Sequence, residues 1–270
     1  MSALWVNGRR SSRIDARDRG LQYGDGVFET MRVLGGRVRL LELHLDRLQQ
    51  GCTRLGIRAP ARAQLRDELA RHAASLEEGV LKLIVTRGVG ARGYRPSGTE
   101  QPTRVLSRHP PPPPPPRGAR VRLCTTRLGS NPALAGLKTL NRLESVLARA
   151  EWRDHKIWEG LMCDAAGYWV CGTSSNLFLR EGPLLRTPRL DRCGVAGVMR
   201  RWIIEEAARL ELTVREQRLR FAHFDRAEEM FLSNAVAGVV SVARLEHGAQ
   251  LLRFASTEAA RRLRSRLSRS

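Results

Sequence analysis

The chain has 270 residues, 42% of them hydrophobic and 27% charged, which leaves room for one large or two modest domains with ample core. A formal net charge of +20 favours a polyanionic partner, but the arginines are dispersed from Arg9 to Arg269 and aromatics make up only 5%. That is too few to interleave with the charge as a stacking surface for single-stranded nucleic acid, so nucleic acid is not the expected partner. The five cysteines (Cys52, Cys124, Cys163, Cys171, Cys193) form no CxxC pair, and the six histidines are scattered. Neither a zinc site nor a disulfide framework is expected. No apolar run reaches the ~18 residues needed to span a bilayer, and Leu4–Arg10 lacks the long apolar stretch of a signal peptide. The expectation is a reduced, cytoplasmic protein.

Along the chain, Asn7-Gly8 behind Trp5-Val6 and Gly35-Gly36 inside Met31–Val38 are hairpin signals. Leu41, Leu45, Leu48, Cys52 and Leu55 recur at helical spacing, and Gly79–Thr86 reads as a buried strand carrying Lys82. That lysine either snorkels out or points into a polar cavity. Pro110–Pro116 is an unbroken proline run. Locked φ angles and missing N–H groups favour a stiff polyproline II segment, either a linker or a ligand for a proline-binding module. Beyond it, Arg120–Thr126, Leu161–Asp164 and Trp169–Leu179 read as strands, with another entered at Met230-Phe231-Leu232; Leu140–Trp152 and Val198–Leu210 read as helices. The alternation predicts a mixed α/β chain: a smaller N-terminal domain over 1–109, a linker over 110–118 and a larger C-terminal domain over 119–270.

Of the 47 basic residues, only Lys82, Lys138 and Lys156 are lysines, so 44 are arginine. Guanidinium stays protonated and cannot condense with an aldehyde, whereas a desolvated amine can act as nucleophile or base. Lys138, between Gly136 and a helical run, is therefore a candidate catalytic amine. Gly88-Val89-Gly90-Ala91-Arg92-Gly93 matches G-x-G-x-x-G, but Tyr94–Gly98 breaks any following helix and no acid stands about 20 residues on. The segment reads instead as a flap bearing Arg87, Arg92 and Tyr94. Gly194–Trp202 is a glycine-containing turn running into a helix, whose first N–H groups suit a phosphate.

Several ordered segments together resemble the class IV aminotransferase-like family of pyridoxal-phosphate enzymes, with its two-domain fold type IV. They are Asp18–Thr30, His44 with Arg47-Leu48, Thr86-Arg87-Gly88, Gly136–Glu144, Ser175–Phe178 and Gly194–Arg200. The Lys-x-Leu-Asn-Arg-Leu-Glu form is similar to that of the aminodeoxychorismate lyases within it, with D-amino-acid and branched-chain aminotransferases as the alternative. A basic nucleic-acid-binding protein using Arg261–Arg266 is the rival from another class. The resemblance implies that Lys138 holds pyridoxal phosphate through its side-chain nitrogen. It also implies that Arg47, Asn176, Gly197, Val198, Met199, Ser233 and Asn234 line the cofactor. Tyr23, Thr30, Lys82, Arg92 and Arg104 become substrate-side candidates for an anionic small molecule, in a protein expected to be a homodimer. The implied reaction eliminates pyruvate and leaves 4-aminobenzoate for folate synthesis. One position departs from the pattern. The family usually places Glu five residues before the Asn of Ser-Asn-Leu-Phe, facing the pyridine nitrogen, and here that residue is Cys171. A thiol cannot anchor a pyridinium as a carboxylate does, so Cys171 is expected to disfavour transamination more than elimination.

Overall fold

The computed structural model describes residues 3–248 and 250–268; the expected domain limits at 1 and 270 lie outside the described residues. Two compact units emerge. One runs to Pro113 and takes in Leu137–Asn141; the other comprises Pro114–Gly136 and the chain from Arg142 onward. The division falls inside the proline run, which is exposed and has no regular secondary structure. Leu137–Asn141, expected within the C-terminal domain, belongs instead with the first unit.

The first unit contains β1 (Leu4–Val6), β2 (Arg9–Arg10), α1 (Arg19–Tyr23), β3 (Gly26–Leu34), β4 (Arg37–Val38), α2 (Leu41–Leu55), α3 (Arg62–Ala74), β5 (Glu78–Thr86) and β6 (Arg104–His109). Its six strands lie in the order β2-β1-β6-β5-β3-β4. Both hairpin signals hold: Asn7 and Gly8, then Gly35 and Gly36, all have positive φ, as a two-residue type I′ turn requires. Strand alternation sends Val27, Met31, Val33, Leu81, Leu83, Val85 and Leu106 into one apolar core with Leu45, Leu48 and Cys52 of α2 and Leu65 and Leu69 of α3. Phe28, Thr30, Lys82 and Ser107 consequently occupy the opposite face. Thr139 bridges Val27, while Phe28 N–H donates to the Lys138 carbonyl and Leu140 N–H to that of Gly26. Residues 138–140 thus extend the sheet beside β3, on the edge away from β5.

The second unit contains β7 (Ala119–Leu123), α4 (Leu143–Arg149), β8 (Ile157–Cys163), β9 (Trp169–Gly172), β10 (Asn176–Glu181), β11 (Leu184–Pro188), α5 (Val198–Ala207), β12 (Thr213–Gln217), α6 (Ala222–Arg226), β13 (Glu229–Asn234), β14 (Gly238–His247), β15 (Gln250–Arg253) and α7 (Glu258–Leu267). The order is β12-β11-β10-β13-β14-β7-β8-β9, with β15 beside β14. Because β9 also meets β10 through Cys171 and Asn176, the strands from β10 to β9 close into a ring.

Two sequence expectations are corrected. The helix expected over Leu140–Trp152 spans only Leu143–Arg149, since Leu140 is held extended by Gly26. The strand expected over Trp169–Leu179 is broken at Thr173–Ser175, where Glu159 gathers the chain. Its carboxylate accepts hydrogen bonds from the N–H and hydroxyl groups of Thr173 and Ser174 and from the Ser175 hydroxyl.

Candidate active site

In the first unit, two of the chain's three lysines converge on one aromatic ring. Lys138 Nζ lies 4.2 Å from the Phe28 ring centroid and Lys82 Nζ 5.5 Å from it, distances at which an ammonium feels the ring's negative face. Thr30 stands directly opposite Lys82 in register. The amine singled out by residue scarcity thus shares a sheet face with two of the five substrate-side candidates.

Behind this face, between β3 and α2, lies a buried charged cluster. Arg47 clasps the Glu29 carboxylate with two hydrogen bonds, of 2.8 Å and 2.5 Å, and His44 Nδ1 meets it at 2.6 Å. Burial alone would raise the Glu29 pKa, but the opposing charges of Arg47 and His44 hold it down at about 2. For His44, burial lowers the pKa and outweighs the pull of Glu29, with Arg47 and Lys138 reinforcing the lowering. An ionised carboxylate only accepts, so Nδ1 carries the proton, and Nε2 is left buried without a hydrogen-bond partner. Sequence reading selected Arg47 but assigned nothing to Glu29 or His44. The available signal was a carboxylate amid the apolar residues of a strand, opposite two basic residues one helical turn apart.

Tyr23 is held at the flap: its hydroxyl accepts from Gly93 N–H at 3.1 Å, and its ring meets Tyr94 edge-on at 5.5 Å. Arg19 fixes the same loop by donating to the carbonyls of Gly93 and Tyr94. Arg92 is exposed on this loop, whereas Arg87 points back to Asp25. Arg104 is not gathered with the others. It shares the face of Leu106, and its Nε donates to Glu68 of α3 at 2.6 Å. Alternation along β6 sends Arg104 and Arg108 toward the helices and Ser107 toward Lys82.

In the second unit, α5 begins at Val198 with Gly197 as its cap and no side-chain cap bond, so its first N–H groups face outward. A Cβ on Gly197 would stand 2.0 Å from Asn176 Oδ1. Asn176 donates to the Val195 carbonyl, and Asn234 Oδ1 accepts from the N–H groups of Val236 and Ala237. Ser233 is fully buried, and its hydroxyl has no hydrogen-bond partner. Uncapped amides and an orphaned buried hydroxyl are what an anion would satisfy.

Cys171 is buried in an apolar cluster with Cys124, Trp152, Met162 and Cys193. Burial, reinforced by Cys193 and Glu159, pushes its thiol up to about 12, against a weaker opposite pull from Arg142. The neighbouring acids are engaged elsewhere, Glu159 in the Thr173–Ser175 turn and Glu144 in accepting from Gly129 N–H. A neutral thiol therefore occupies this position. Among the described residues, no group of three or more His, Cys, Asp or Glu could hold a metal ion, and no helix is long and apolar enough to cross a membrane.

Known proteins resemble this chain over nearly its whole length. Residues 26–245 match the family model described as amino-transferase class IV. Aminodeoxychorismate lyase of Vibrio harveyi is 31% identical over 269 residues, 98% of this chain and 99% of that protein. The crystal structure of 4-amino-4-deoxychorismate lyase from Pseudomonas aeruginosa superimposes with a TM-score of 0.93 at 45% identity, covering 99% of this chain and 98% of that one. A branched-chain amino acid aminotransferase from Escherichia coli shares the fold at 23% identity, with a TM-score of 0.84 over 98% of this chain and 92% of its own. With a family match over most of its length and these full-length relatives, the chain belongs to the class IV aminotransferase family.

Proposed function

We propose that the chain is a pyridoxal-phosphate-dependent 4-amino-4-deoxychorismate lyase, releasing pyruvate and leaving 4-aminobenzoate for folate synthesis. The observation that carries this reading is Lys138, an amine retained against 44 arginines and held over Phe28 beside a second amine, in a chain whose full-length relatives are named as such lyases. Within the first unit Lys138 Nζ suits the aldehyde of pyridoxal phosphate; within the second the Val198 and Met199 amides, with the orphaned Ser233 hydroxyl and Asn234, suit a phosphate. The resemblance adds Arg47 to the cofactor's ligands, although here it clasps Glu29. Gly197 leaves the approach open where a side chain would strike Asn176.

When bound, the cofactor supplies an electron-withdrawing ring conjugated to the substrate nitrogen. With its side-chain nitrogen free, Lys138 would be the general base for the proton on the carbon bearing nitrogen. The C–O bond to the enolpyruvyl group then breaks, and Lys138 as ammonium returns a proton to the departing group. One nitrogen serves as base and acid, so the proton balance closes within the site while the ring gains aromaticity. Aromatisation drives this elimination, which is why a neutral Cys171 is tolerable in a lyase. A transaminase lacks that pull, and the aminotransferase reading is the weaker one for this reason.

The exposed apolar residues Leu143, Val146 and Leu147 of α4 support a homodimer, and five free cysteines support a reduced, cytoplasmic setting. The decisive experiment is the visible spectrum of the purified protein before and after adding aminodeoxychorismate, with pyruvate assayed in the absence of any keto acid. The protein should be yellow and release pyruvate. Borohydride should fix the label on Lys138, and Lys138→Arg should lose colour and at least about a thousandfold in turnover. A colourless protein, a label on another residue, or a requirement for keto acid would each overturn the reading.

A further inference from the structure

The outer face of the second unit's sheet carries a row of arginines that no role above employs. Along β7, Ala119 and Val121 point into the core and Arg120 away from it. On β14 Leu245 points inward and Arg244 outward, and on β15 Leu252 points inward and Arg253 outward. Arg120 stands opposite Arg244, and Arg244 opposite Arg253, so three guanidinium stems cross three neighbouring strands in register. Like charges placed directly opposite repel, yet the backbone is distorted in a way that brings these together. A bulge at Ala243 shifts the register between Val242 and Arg244, so that Val242 and Leu245 both face the core. Without the extra residue Arg244 would share the side of Val242. Gly118 makes room for the bulge, since a Cβ there would stand 2.9 Å from Ala243 Cβ. Carboxylates accompany other arginines of this sheet: Glu246 and Asp154 lie by Arg120, Glu151 by Arg122 and Glu229 by Arg180. Where β11 and β12 set Arg186 against Arg215, Glu181 takes Arg186 at 2.7 Å. The side chains of Arg244 and Arg253, both exposed, make no hydrogen bond or ion pair among the described residues.

We propose that Arg244 and Arg253, with Arg120 at the end of the row, bind a short oligophosphate on the outer face of this unit. Neighbouring strands lie ~4.8 Å apart, so the row spreads its stems over ~10 Å. A single carboxylate would neutralise one of them. Linked phosphates carry several charges within that span, and guanidinium forks donate paired hydrogen bonds to phosphate oxygens. A bound anion of this kind turns the repulsion between facing guanidiniums into shared attraction. The surroundings limit the ligand. Ile157 flanks Arg120 on β8, while Arg122, Glu246 and Leu251 form the next row. A long polyanion running along the strands would therefore meet the Glu246 carboxylate. Neither row holds an aromatic ring on which a base could stack, which favours phosphates alone over single-stranded nucleic acid. None of these residues has a cofactor or substrate role above, so the site does not depend on the lyase reading.

The test is calorimetric titration of the full chain with sodium tripolyphosphate at low ionic strength, after loading with pyridoxal phosphate so that the cofactor's own phosphate site is filled. Wild type should bind tripolyphosphate at least about tenfold more tightly than inorganic phosphate. Arg244→Gln and Arg253→Gln should each weaken tripolyphosphate about tenfold, and Arg215→Gln on β12 by less than about twofold. KM and kcat for aminodeoxychorismate should be unchanged in all three. Because the substituted positions are exposed, the variants should fold, and removing one of two facing charges should leave the unfolding midpoint no lower than in wild type. A nucleoside triphosphate separates a nucleotide from a free oligophosphate: equal affinity is expected, and affinity more than about tenfold higher would overturn recognition of phosphates alone. Equal weakening by Arg215→Gln would mark diffuse attraction to the +20 surface and overturn the site. No binding, or a preference for single-stranded DNA over tripolyphosphate, would do the same.

Discussion

On the reading proposed above, the thiol at position 171, held neutral by burial, takes the place of a carboxylate that would hold a proton on the ring nitrogen of pyridoxal phosphate. Cys171→Glu would place a carboxyl among apolar neighbours. Burial would raise its pKa, while the nearby Arg142 guanidinium, already felt by Cys171, would favour the charged form. We expect the ratio of transamination to pyruvate release to rise about tenfold, a difference of ~1.4 kcal/mol between the two barriers. Measuring both activities on one preparation of each protein checks this, and an unchanged ratio would show that the thiol does not tune the reaction. At this scale the sequence was legible where residue chemistry is unusual: a lysine among arginines, a cysteine at a usual glutamate. It was silent where identity is ordinary and placement decides. Arg244 and Arg253 gain meaning only because β15 registers with β14, and Glu29 because α2 brings His44 and Arg47 over it. Arg104 stands apart from the other candidates for a reason of parity: Leu106, two residues on, marks its side of β6 as the helix-packed one.

The same contrast between local pattern and placement recurs among the elements. Helix α2 was legible because its apolar face repeats over fifteen residues, and both hairpins because their turn residues must adopt positive φ. The pairing of residues 138–140 with β3 was not, since it depends on a contact with Gly26–Phe28 more than a hundred residues away in sequence. That contact makes Lys138 part of a sheet, where a bonded backbone holds its side chain in place better than a loop would. Directly after it, α4 exposes Leu143, Val146 and Leu147 at 77%, 60% and 61%, an apolar stripe at i, i+3 and i+4 on a helix of only seven residues. A helix this short depends on packing for its stability, and in the homodimer proposed above this stripe is the part covered. Leu147→Glu would place a charge in that contact. The expected result is a dimer dissociation constant raised at least about a hundredfold, a cost of ~3 kcal/mol or more, read by sedimentation at several concentrations. Unchanged sedimentation would place any self-association elsewhere on the surface.

Charge governs the molecule as a whole. The suggestion that Arg261–Arg266 forms a free basic patch is tempered by the fold, because Arg264 donates to the Val239 carbonyl and the Ser241 hydroxyl, and Arg266 pairs with Glu206. Much of the +20 is therefore dispersed over a surface stitched by arginine–carboxylate pairs, and that makes the fold sensitive to acid. Two effects act together and can be separated. His44 has a folded pKa lowered from 6.5, so its contribution to stability is complete above 6.5 and is lost as pH falls below it. Glu29, held at about 2 against 4.5, contributes fully above 4.5 and loses that contribution as pH falls toward 2. Each proton changes stability by at most about 1.4 kcal/mol per pH unit. As the 27 carboxylates neutralise, the formal charge climbs from +20 toward the full 47 of the Lys and Arg side chains, and self-repulsion adds to the loss. Salt at ~0.5 M, with a Debye length well under 10 Å, screens the dispersed repulsion but scarcely reaches the buried Glu29–His44–Arg47 cluster. Denaturant unfolding followed by circular dichroism from pH 7.5 to 3 should therefore show stability falling with acid at either ionic strength. Added salt should recover the loss mainly below pH 4.5. His44→Asn should start lower and flatten the salt-insensitive slope between 6.5 and 4.5. A slope in that window abolished by salt would assign the acid sensitivity to surface charge instead of to the cluster behind Phe28.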